Sequence, residues 1–254
     1  MSGHSKWATI KRKKAATDSA RGRLFTRLIK EISIAARDGG GSPEANPRLR
    51  LAIQTAKSAN MPADNIKRAI QKGTGELPGT TYEEATYEGY GPAGVAILVE
   101  TVTDNSNRTV SEMRHIFSRN HGKFGQTGSV ARMFHRKGTI VINRGKQARP
   151  LSEDDLLTII LDAGADDLGT EEDTYIVTTS PQTFEAVRRA IEDQGIVIDS
   201  ASLQMLPENT VKITGKDAEQ TLKLMEALEE HDDVQNVYAN FDIDEKELAT
   251  LQSL

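Results

Sequence analysis

The chain of 254 residues is long enough for two or three domains, and it combines 37% hydrophobic residues with only 5% aromatic residues and a mean hydropathy of −0.49. It contains no cysteine, which excludes disulfides, thiolate metal sites and cysteine nucleophiles. Its first residues are charged and have no apolar core, so we predict neither a signal peptide nor a membrane span. We expect a cytoplasmic protein. A mitochondrial presequence is the alternative, although the amphipathic, serine-rich pattern of such peptides is poorly matched.

Charge is segregated along the chain, although the formal net charge is only −5. Residues 1–80 contain 16 Lys/Arg and 6 Asp/Glu, a net charge of +10, and residues 104–149 carry a net charge of +8. Residues 150–254 carry a net charge of −19. Because local fields attract a charged partner, this pattern favours a polyanion bound by the N-terminal part. The acidic segment is predicted to face away from that polyanion or to meet a protein.

Three amphipathic helices are predicted near the N-terminus, after a lysine-rich arm. The first spans residues 21–38, where the apolar residues cluster on one side of a helix, and the glycines at 39–41 end it. Asn46 and Pro47 predict the start of a second helix, as its N-cap and its first helical residue. A third helix is predicted over residues 62–72. Together they indicate one compact helical domain.

After a glycine-rich linker at 73–81, strands and helices alternate. The predicted strands are 94–103, 129–135, 138–143, 166–170, 173–179, 196–206, 209–214 and 234–241, and the predicted helices are 106–120, 152–164, 181–194 and 217–231. This order fits two ferredoxin-like βαββαβ domains, one inserted in the other. The predicted fold class is therefore α+β multidomain. Its domains are an N-terminal three-helix domain (1–80), an α+β domain (81–136 plus 207–254) and an inserted α+β domain (137–206).

The strongest candidate site is the basic cluster near the N-terminus. Adjacent like charges repel each other, and nucleic acid supplies regularly spaced phosphates and a driving force from counterion release. The predicted phosphate contacts are Lys6, Lys11, Arg12, Lys13, Lys14, Arg21, Arg23, Arg27 and Lys30, with Arg48, Arg50 and Lys57 as secondary contacts. The alternatives are a solvated basic face or a patch for an acidic protein or an anionic lipid. No apolar helix face is left free for insertion into a membrane.

Two further motifs contain an aromatic residue or closely spaced glycines. Trp7, the only tryptophan, is a candidate for stacking on an exposed base, but the favoured interpretation is that it pins the basic arm onto the helical core. Residues 89–94 match G-x-G-x-x-G, yet these glycines precede a strand, whereas a dinucleotide site requires them between a strand and a helix. We therefore predict a turn and no dinucleotide cofactor.

A second basic region follows the predicted strand 94–103. Arg108 is a candidate anion contact together with later arginines of the same predicted helix, and Asp104 or Ser106 is predicted to cap that helix. Lys123 lies in a glycine-rich basic loop that we predict to be flexible and able to touch RNA or DNA. The loop lacks the spacing of a phosphate-binding P-loop.

No catalytic constellation is predicted from the sequence. The five histidines show no metal-ligand spacing, and the lack of cysteine shortens the list of zinc sites. We expect no metal, no cofactor, no small-molecule substrate and no enzymatic activity. A nucleic-acid hydrolase is the least favoured alternative, because a two-metal nuclease needs carboxylates that converge from separate elements.

Several motifs together resemble the YebC family across essentially the whole chain. They are Ser2-Gly3-His4-Ser5-Lys6-Trp7, Gly39-Gly40-Gly41, Asn46-Pro47-Arg48-Leu49-Arg50, Tyr87-Glu88-Gly89-Tyr90-Gly91-Pro92 and Thr103-Asp104-Asn105. The resemblance implies an N-terminal helical bundle and two α+β domains, one inserted in the other. The family includes bacterial probable transcriptional regulators and a mitochondrial translational activator of cytochrome oxidase synthesis, and a role in elongation through proline-rich stretches is attached to it. Ala93 and His121 stand where the family often has glycine.

We therefore predict a non-enzymatic, nucleic-acid-binding regulator of gene expression, with a DNA-binding transcriptional regulator as the first hypothesis. The alternative is an RNA-binding translation factor that partners ribosomal RNA and the ribosome. No clear helix-turn-helix with base-reading side chains is evident in the sequence. Because phosphate contacts position a protein without reading bases, the basic residues alone do not separate DNA from RNA.

Overall fold

The computed structural model describes residues 18–171, 173–244 and 247, with side chains from residue 21 onwards. These residues form two compact units, of which one contains Arg132–Asn209 and the other contains the described residues on either side of it. The predicted α+β multidomain fold class is confirmed. The boundaries of the three predicted domains stay a prediction. Among the described helices, none has both the length and the apolar character that crossing a bilayer requires.

The described residues contain seven α-helices and ten strands. The helices are α1 (Asp18–Gly39), α2 (Pro47–Ser58), α3 (Ala63–Gly73), α4 (Ser106–Arg119), α5 (Glu153–Asp162), α6 (Phe184–Asp193) and α7 (Gly215–Glu229). The strands are β1 (Glu83–Tyr90), β2 (Ala96–Thr103), β3 (Lys123–Phe124), β4 (Phe134–Asn143), β5 (Ala165–Glu171), β6 (Thr174–Thr179), β7 (Ser200–Pro207), β8 (Val211–Lys212), β9 (Val234–Ala239) and β10 (Phe241–Asp242).

Helices α1, α2 and α3 form an N-terminal bundle around an aliphatic core that includes Ile32, Leu49 and Ile66. As predicted, Asn46 caps α2, because its side-chain oxygen accepts a hydrogen bond from the N–H of Leu49. The Asn46 amide also donates to the main-chain oxygen of Ala35 at 2.7 Å, which joins the end of α1 to the start of α2. A Cβ at Gly39 would lie 2.6 Å from this amide nitrogen, so the close approach requires glycine there.

The outer α+β domain contains an antiparallel sheet with the strand order β3-β1-β2-β9. Its core side packs against α4 and α7, where Ile97 and Val99 of β2 share one cluster with Phe117 of α4 and Leu224 of α7. Strands β8 and β10 pair in parallel as a separate two-stranded sheet. The predicted strand 209–214 is therefore shorter than expected.

The inserted unit has the element order β4-α5-β5-β6-α6-β7 and an antiparallel sheet with the order β5-β6-β4-β7. This is the βαββαβ arrangement that the sequence predicted for residues 137–206. Ile140 and Val177 on the central strands, Leu156 on α5 and Val187 on α6 are fully buried.

Two further differences from the predicted strands concern residues 129–135 and 83–90. The strand predicted at 129–135 is wrong over its first part, where residues 131–133 form a 3-10 turn and β4 begins only at Phe134. The reason is that the main-chain N–H groups of Val130 and Ala131 donate to the carboxylate of Glu88 rather than to a neighbouring strand. Strand β1 was missed, because three of its eight residues are glutamate and it becomes buried only by pairing with β2 and β3 and by packing against α4.

Candidate nucleic-acid interface

Six of the predicted nucleic-acid-binding residues lie outside the described residues. They are Lys6, Trp7, Lys11, Arg12, Lys13 and Lys14. The other nine, which are Arg21, Arg23, Arg27, Lys30, Arg48, Arg50, Lys57, Arg108 and Lys123, have described side chains, and the structure separates them into two groups. Five bind groups of the protein itself, and four form neither a hydrogen bond nor an ion pair with another described residue.

Lys30 is buried, which corrects the expectation that it projects into solvent. Only 7% of the residue is exposed, and its Nζ atom donates to Oδ1 of Asp233 at 2.8 Å. The same ammonium group donates to the main-chain oxygens of Asp232 at 2.9 Å and Val102 at 3.2 Å. An ammonium group has three N–H donors, and these contacts use all of them. Lys30 therefore has no donor left for a phosphate.

Arg108 binds the other oxygen of the same carboxylate. Its Nη2 atom lies 2.9 Å from Oδ2 of Asp233 and 2.8 Å from Oδ1 of Asp104. The hydroxyls of Thr103 and Thr109 also donate to Oδ2 of Asp233, at 3.0 and 2.8 Å. We call Asp233 with Lys30, Arg108, Thr103 and Thr109 the Asp233 cluster. It joins α1 to the end of β2 and the start of α4. Arg108 is thus also corrected from a free cation to one bound by two carboxylates of the protein, with 44% of its side chain exposed.

The Asp233 cluster holds its carboxylate in the ionised form. Burial by itself would raise the pKa of Asp233, but the hydrogen bonds from Lys30, Arg108 and Thr109 outweigh it and lower the pKa. Only 4% of Asp233 is exposed. A buried carboxylate with two cations and two hydroxyls is a structural ion pair rather than a vacant binding site.

Arg27 and Arg48 are likewise held by the protein. Arg27 donates to the main-chain oxygen of Glu229, and burial lowers the pKa of this arginine. Arg48 binds both oxygens of Glu31, at 2.8 and 3.0 Å, and Oε1 of Glu84 at 2.6 Å. The hydrogen bond with Glu31 raises the pKa of Arg48. Both arginines therefore join α1 and α2 to neighbouring elements, which corrects their prediction as exposed phosphate contacts.

Arg50 completes the group of internally bound cations. Its Nη1 atom donates to the main-chain oxygens of Pro43 at 3.0 Å and Glu44 at 3.2 Å, which orders the turn before α2. The four predicted contacts that form neither a hydrogen bond nor an ion pair with another described residue are Arg21, Arg23, Lys57 and Lys123. Arg23 is half-buried and the other three are exposed.

A basic surface that the sequence analysis did not single out lies on α2 and α3. We call it the α3 surface, and it consists of Lys57, Lys67, Arg68 and Lys72, all of which are exposed. None of these side chains forms an ion pair within the described part of the chain. On the opposite side of α3, Ile66 and Ala69 are buried, so the helical repeat that buries them also turns the cations outward. The sequence analysis predicted the helix over residues 62–72 but proposed none of its cations as a contact. Of the α3 surface it proposed only Lys57, which lies on α2.

Helices α2 and α3 are joined by a short turn. It spans residues 59–62, in which Asn60 has a φ of +58° and Met61 is buried. Asn is one of the few non-glycine residues that adopt this left-handed conformation readily. A helix, a turn of this length and a second helix follow the connectivity of a helix-turn-helix. Asn65 and Gln71 lie partly exposed on α3 beside the cations, an arrangement that was not evident in the sequence.

A second basic surface lies on α4 and the loop that follows it. We call it the α4 surface, and it consists of Arg114, His115, Arg119, His121 and Lys123, all exposed. The guanidinium carbon of Arg114 lies 5.4 Å from the centroid of the Phe124 ring. No member of this surface forms an ion pair with another residue that the structure describes.

The N-cap of α4 is Asn105, and not Asp104 or Ser106 as predicted. The side-chain oxygen of Asn105 accepts a hydrogen bond from the N–H of Arg108 at 3.1 Å. Asp104 is unavailable as a cap because its carboxylate binds the Arg108 guanidinium. Ser106 instead donates its hydroxyl hydrogen to Glu83.

The glycine-rich loop after Lys123 was predicted to be flexible, but Glu88 holds it in place. The carboxylate of Glu88 accepts hydrogen bonds from the main-chain N–H groups of Gly128 at 2.6 Å, Val130 at 2.6 Å and Ala131 at 2.8 Å. Burial by itself would raise the pKa of Glu88, but these backbone hydrogen bonds outweigh it and lower the pKa. These three hydrogen bonds therefore anchor the end of the loop to β1.

One cluster in the described residues has the side chains of a metal site. Ligand atoms of Glu112, His231 and Asp233 all lie within 4.8 Å of one another. However, the main-chain N–H of Asp233 donates to Nδ1 of His231, and Nε2 of His231 lies 2.7 Å from Glu112. Asp233 already faces two cations, which repel a metal ion. These residues therefore do not fit a metal cofactor.

Two family models match this chain. The TACO1/YebC protein N-terminal domain matches residues 5–76, which include the α3 surface, and the TACO1/YebC second and third domain matches residues 82–241, which include the α4 surface. The chain belongs to the TACO1/YebC family. The resemblance noted from the sequence motifs is thereby confirmed, and both basic surfaces lie within matched TACO1/YebC domains.

Individual relatives cover nearly the whole length of this TACO1/YebC chain. A probable transcriptional regulatory protein of Pelotomaculum thermopropionicum is 58% identical over 245 residues, which cover 96% of this chain and 100% of the relative. A protein of the same description from Natranaerobius thermophilus is 54% identical over 250 residues, which cover 98% and 100%. The crystal structure of a conserved hypothetical protein from Aquifex aeolicus matches with a TM-score of 0.81 and 47% identity, and covers 90% of this chain and 93% of that one.

Proposed function

We propose that this protein is a non-enzymatic regulator of gene expression that binds DNA in the cytoplasm as a transcriptional regulator. Two bacterial relatives with more than half of their residues identical are described as probable transcriptional regulatory proteins. The observation that carries the proposal is the α3 surface, whose four cations reach solvent and are free of ion pairs among the described residues. No carboxylate among the described residues neutralises these cations, so they are available to a polyanion.

Counterion release supplies the binding free energy at such a surface. Each Lys or Arg that neutralises a phosphate releases condensed counterions from the nucleic acid, so affinity falls as salt is added. The five cations that bind groups of the protein itself contribute little to this term. The contact surface in the described part of the bundle is therefore smaller than the sequence suggested, and it centres on α3.

The connectivity of α2 and α3 supports duplex DNA as the target. In a helix-turn-helix the second helix enters the major groove and presents side chains to base edges. Arg68 is a candidate for guanine, and Asn65 and Gln71 are candidates for adenine, because their donor and acceptor groups match those bases. Lys67 and Lys72 would contact phosphates on either side.

The proposal is tested by measuring affinity for a labelled DNA duplex and for an RNA hairpin of equal length over a range of salt concentrations. The variant Lys67→Gln/Arg68→Gln/Lys72→Gln is expected to bind DNA more weakly, with a log–log salt slope shallower by about 0.9 for each phosphate that the variant leaves unneutralised. The matched control is Lys212→Gln/Lys216→Gln/Lys223→Gln, which removes three exposed lysines elsewhere in the chain.

An unchanged slope in the α3 variant, or an equal change in the control, would contradict a specific role of the α3 surface. Tighter binding of the RNA hairpin than of the duplex, weakened by the same variant, would favour the alternative of a translation factor that binds ribosomal RNA. Cleavage of either labelled strand would contradict the non-enzymatic part of the proposal.

A further inference from the structure

The α4 surface has cations without anions of its own. Arg114, Arg119 and Lys123 are exposed, and the nearest carboxylate on the same helix, Glu112, is bound to the ring of His231 at 2.7 Å. The exposed hydroxyl of Ser118 lies on the same helix, next to Arg119. Charged donors together with a hydroxyl donor are the side chains that proteins use for phosphate oxygens.

The dimensions of the α4 surface suit an extended polyanion. Arg114 and Arg119 are five residues apart, which is about 7.5 Å along a helix axis. The phosphates of one DNA strand rise about 3.4 Å each along the duplex. Arg119 lies in the last turn of α4, where the helix dipole stabilises a cation. Lys123 lies beyond the last turn and gains nothing from the dipole, so the dipole does not explain its presence.

His121 is held in a backbone conformation that favours glycine. Its φ is +61°, and its exposed side chain has no hydrogen bond with another described residue. The fold would therefore be more stable with glycine here. His121 is strained, and its exposed side chain lies on a basic surface. These two features together indicate that the side chain serves binding rather than the stability of the fold.

Two interactions make the α4 surface rigid. The Arg114 guanidinium lies over the Phe124 ring, which restricts its rotation. Glu88 anchors the backbone of residues 128–131, which follow β3, through three N–H groups. Rigid donors lose little conformational entropy on binding.

The geometry points to a second DNA contact, in which the α4 surface binds the phosphate backbone of duplex DNA. This inference rests on the proposed function, and it adds a second contact outside the N-terminal bundle. The exposed hydroxyl of Ser118 beside the cations favours the duplex over an acidic protein, because contacts to phosphate oxygens combine charged and hydroxyl donors.

The first experiment compares four full-length proteins by fluorescence anisotropy with a labelled duplex at several salt concentrations. They are the wild type, Arg119→Gln/Lys123→Gln, the α3 triple variant, and the combination of both sets. We expect Arg119→Gln/Lys123→Gln to make the salt slope shallower by about 1.8, since each phosphate left unneutralised accounts for about 0.9, and the two sets to add in the combination. Lys216→Gln/Lys223→Gln is the charge-matched control.

The outcomes separate this inference from the proposed function. If the α3 variant weakens binding and Arg119→Gln/Lys123→Gln behaves like the control, the second contact is overturned and the proposed function stands. If neither variant differs from its control, both proposals fail. If wild type captures polyglutamate and only Arg119→Gln/Lys123→Gln abolishes that capture, with DNA binding unchanged, the surface belongs to an acidic protein partner and the inference is overturned.

A second variant avoids the ambiguity of a misfolded protein. His121→Gly removes the imidazole and relieves the backbone, so its thermal unfolding midpoint should be equal or higher while its affinity for the duplex falls about fivefold, as expected when one hydrogen bond is removed. Ala93→Gly is the matched control, because Ala93 also has a positive φ, of +53°, outside the α4 surface. A loss of affinity in both variants, or in neither, would contradict the assignment of His121 to the contact.

Discussion

Two basic residues of α1, Arg27 and Lys30, bind other parts of the protein, whereas the basic residues of α3 reach solvent. On α1, Arg27 and Lys30 donate to Glu229 and Asp233, which follow some two hundred residues later in the chain. On α3, the cations point into solvent. The comparison teaches that helical periodicity shows which side of a helix is polar, and that the tertiary structure decides whether that side meets water or another element.

The contribution of a cation to the stability of the protein also differs between the two helices. A buried ammonium group such as that of Lys30 is tolerated because Asp233 compensates its charge, and removing one partner leaves the other uncompensated. An exposed cation such as Lys67 is already solvated, so its removal costs little stability. Stability measurements should therefore respond at α1 and nucleic-acid binding at α3.

The largest expected effect comes from breaking the Asp233 cluster at its centre. Asp233→Ala leaves the Lys30 charge buried without its partner and is expected to lower the free energy of unfolding by about 3–5 kcal/mol. Urea unfolding followed by circular dichroism measures it. Asp232→Ala is the control: this neighbour is exposed, and its change should stay within about 0.5 kcal/mol. If Asp233→Ala and Asp232→Ala lowered the free energy of unfolding equally, Asp233 would not be the partner that stabilises Lys30, and the distinction between α1 and α3 would be lost.

The comparison is tested directly by the same substitution in both helices. Lys30→Met is expected to lower the free energy of unfolding by about 3 kcal/mol, because Asp233 loses a partner in a buried site. Lys67→Met should change it by less than about 0.5 kcal/mol and should weaken DNA binding instead. Urea unfolding and anisotropy titrations of both variants decide this. Loss of stability in Lys67→Met, or none in Lys30→Met, would reverse the assignment.

A smaller effect with a defined pH dependence is expected at Glu88. Glu88→Gln weakens three backbone hydrogen bonds and should lower the free energy of unfolding by about 2 kcal/mol at neutral pH. The folded-state pKa of Glu88 lies below that of the unfolded chain, so the stabilisation is present above about pH 4.3 and is lost as pH falls towards the folded pKa. Unfolding curves of wild type and variant should therefore converge in acid. A constant difference at all pH values would contradict this cause.

Much of the fold could be predicted because its signals are local. The three N-terminal helices, the Asn46 cap and the nested order of α+β elements follow from periodicity, capping residues and turn residues. Strand β1 could not be predicted in the same way, because its burial depends on pairing with β2 and β3. The mistaken strand at 129–135 has a similar cause, since Glu88 is some forty residues away in the sequence.

Sequence by itself determined which residues are helical, where charge is concentrated and, through its motifs, the family. Only the tertiary structure decided which cations remain available, because that depends on partners brought together over long distances in the chain. Nothing in the sequence distinguishes Asp233, which is buried among cations, from Asp232, which is exposed. A side chain's type and spacing are local properties, whereas its desolvation and pairing are set by the whole fold.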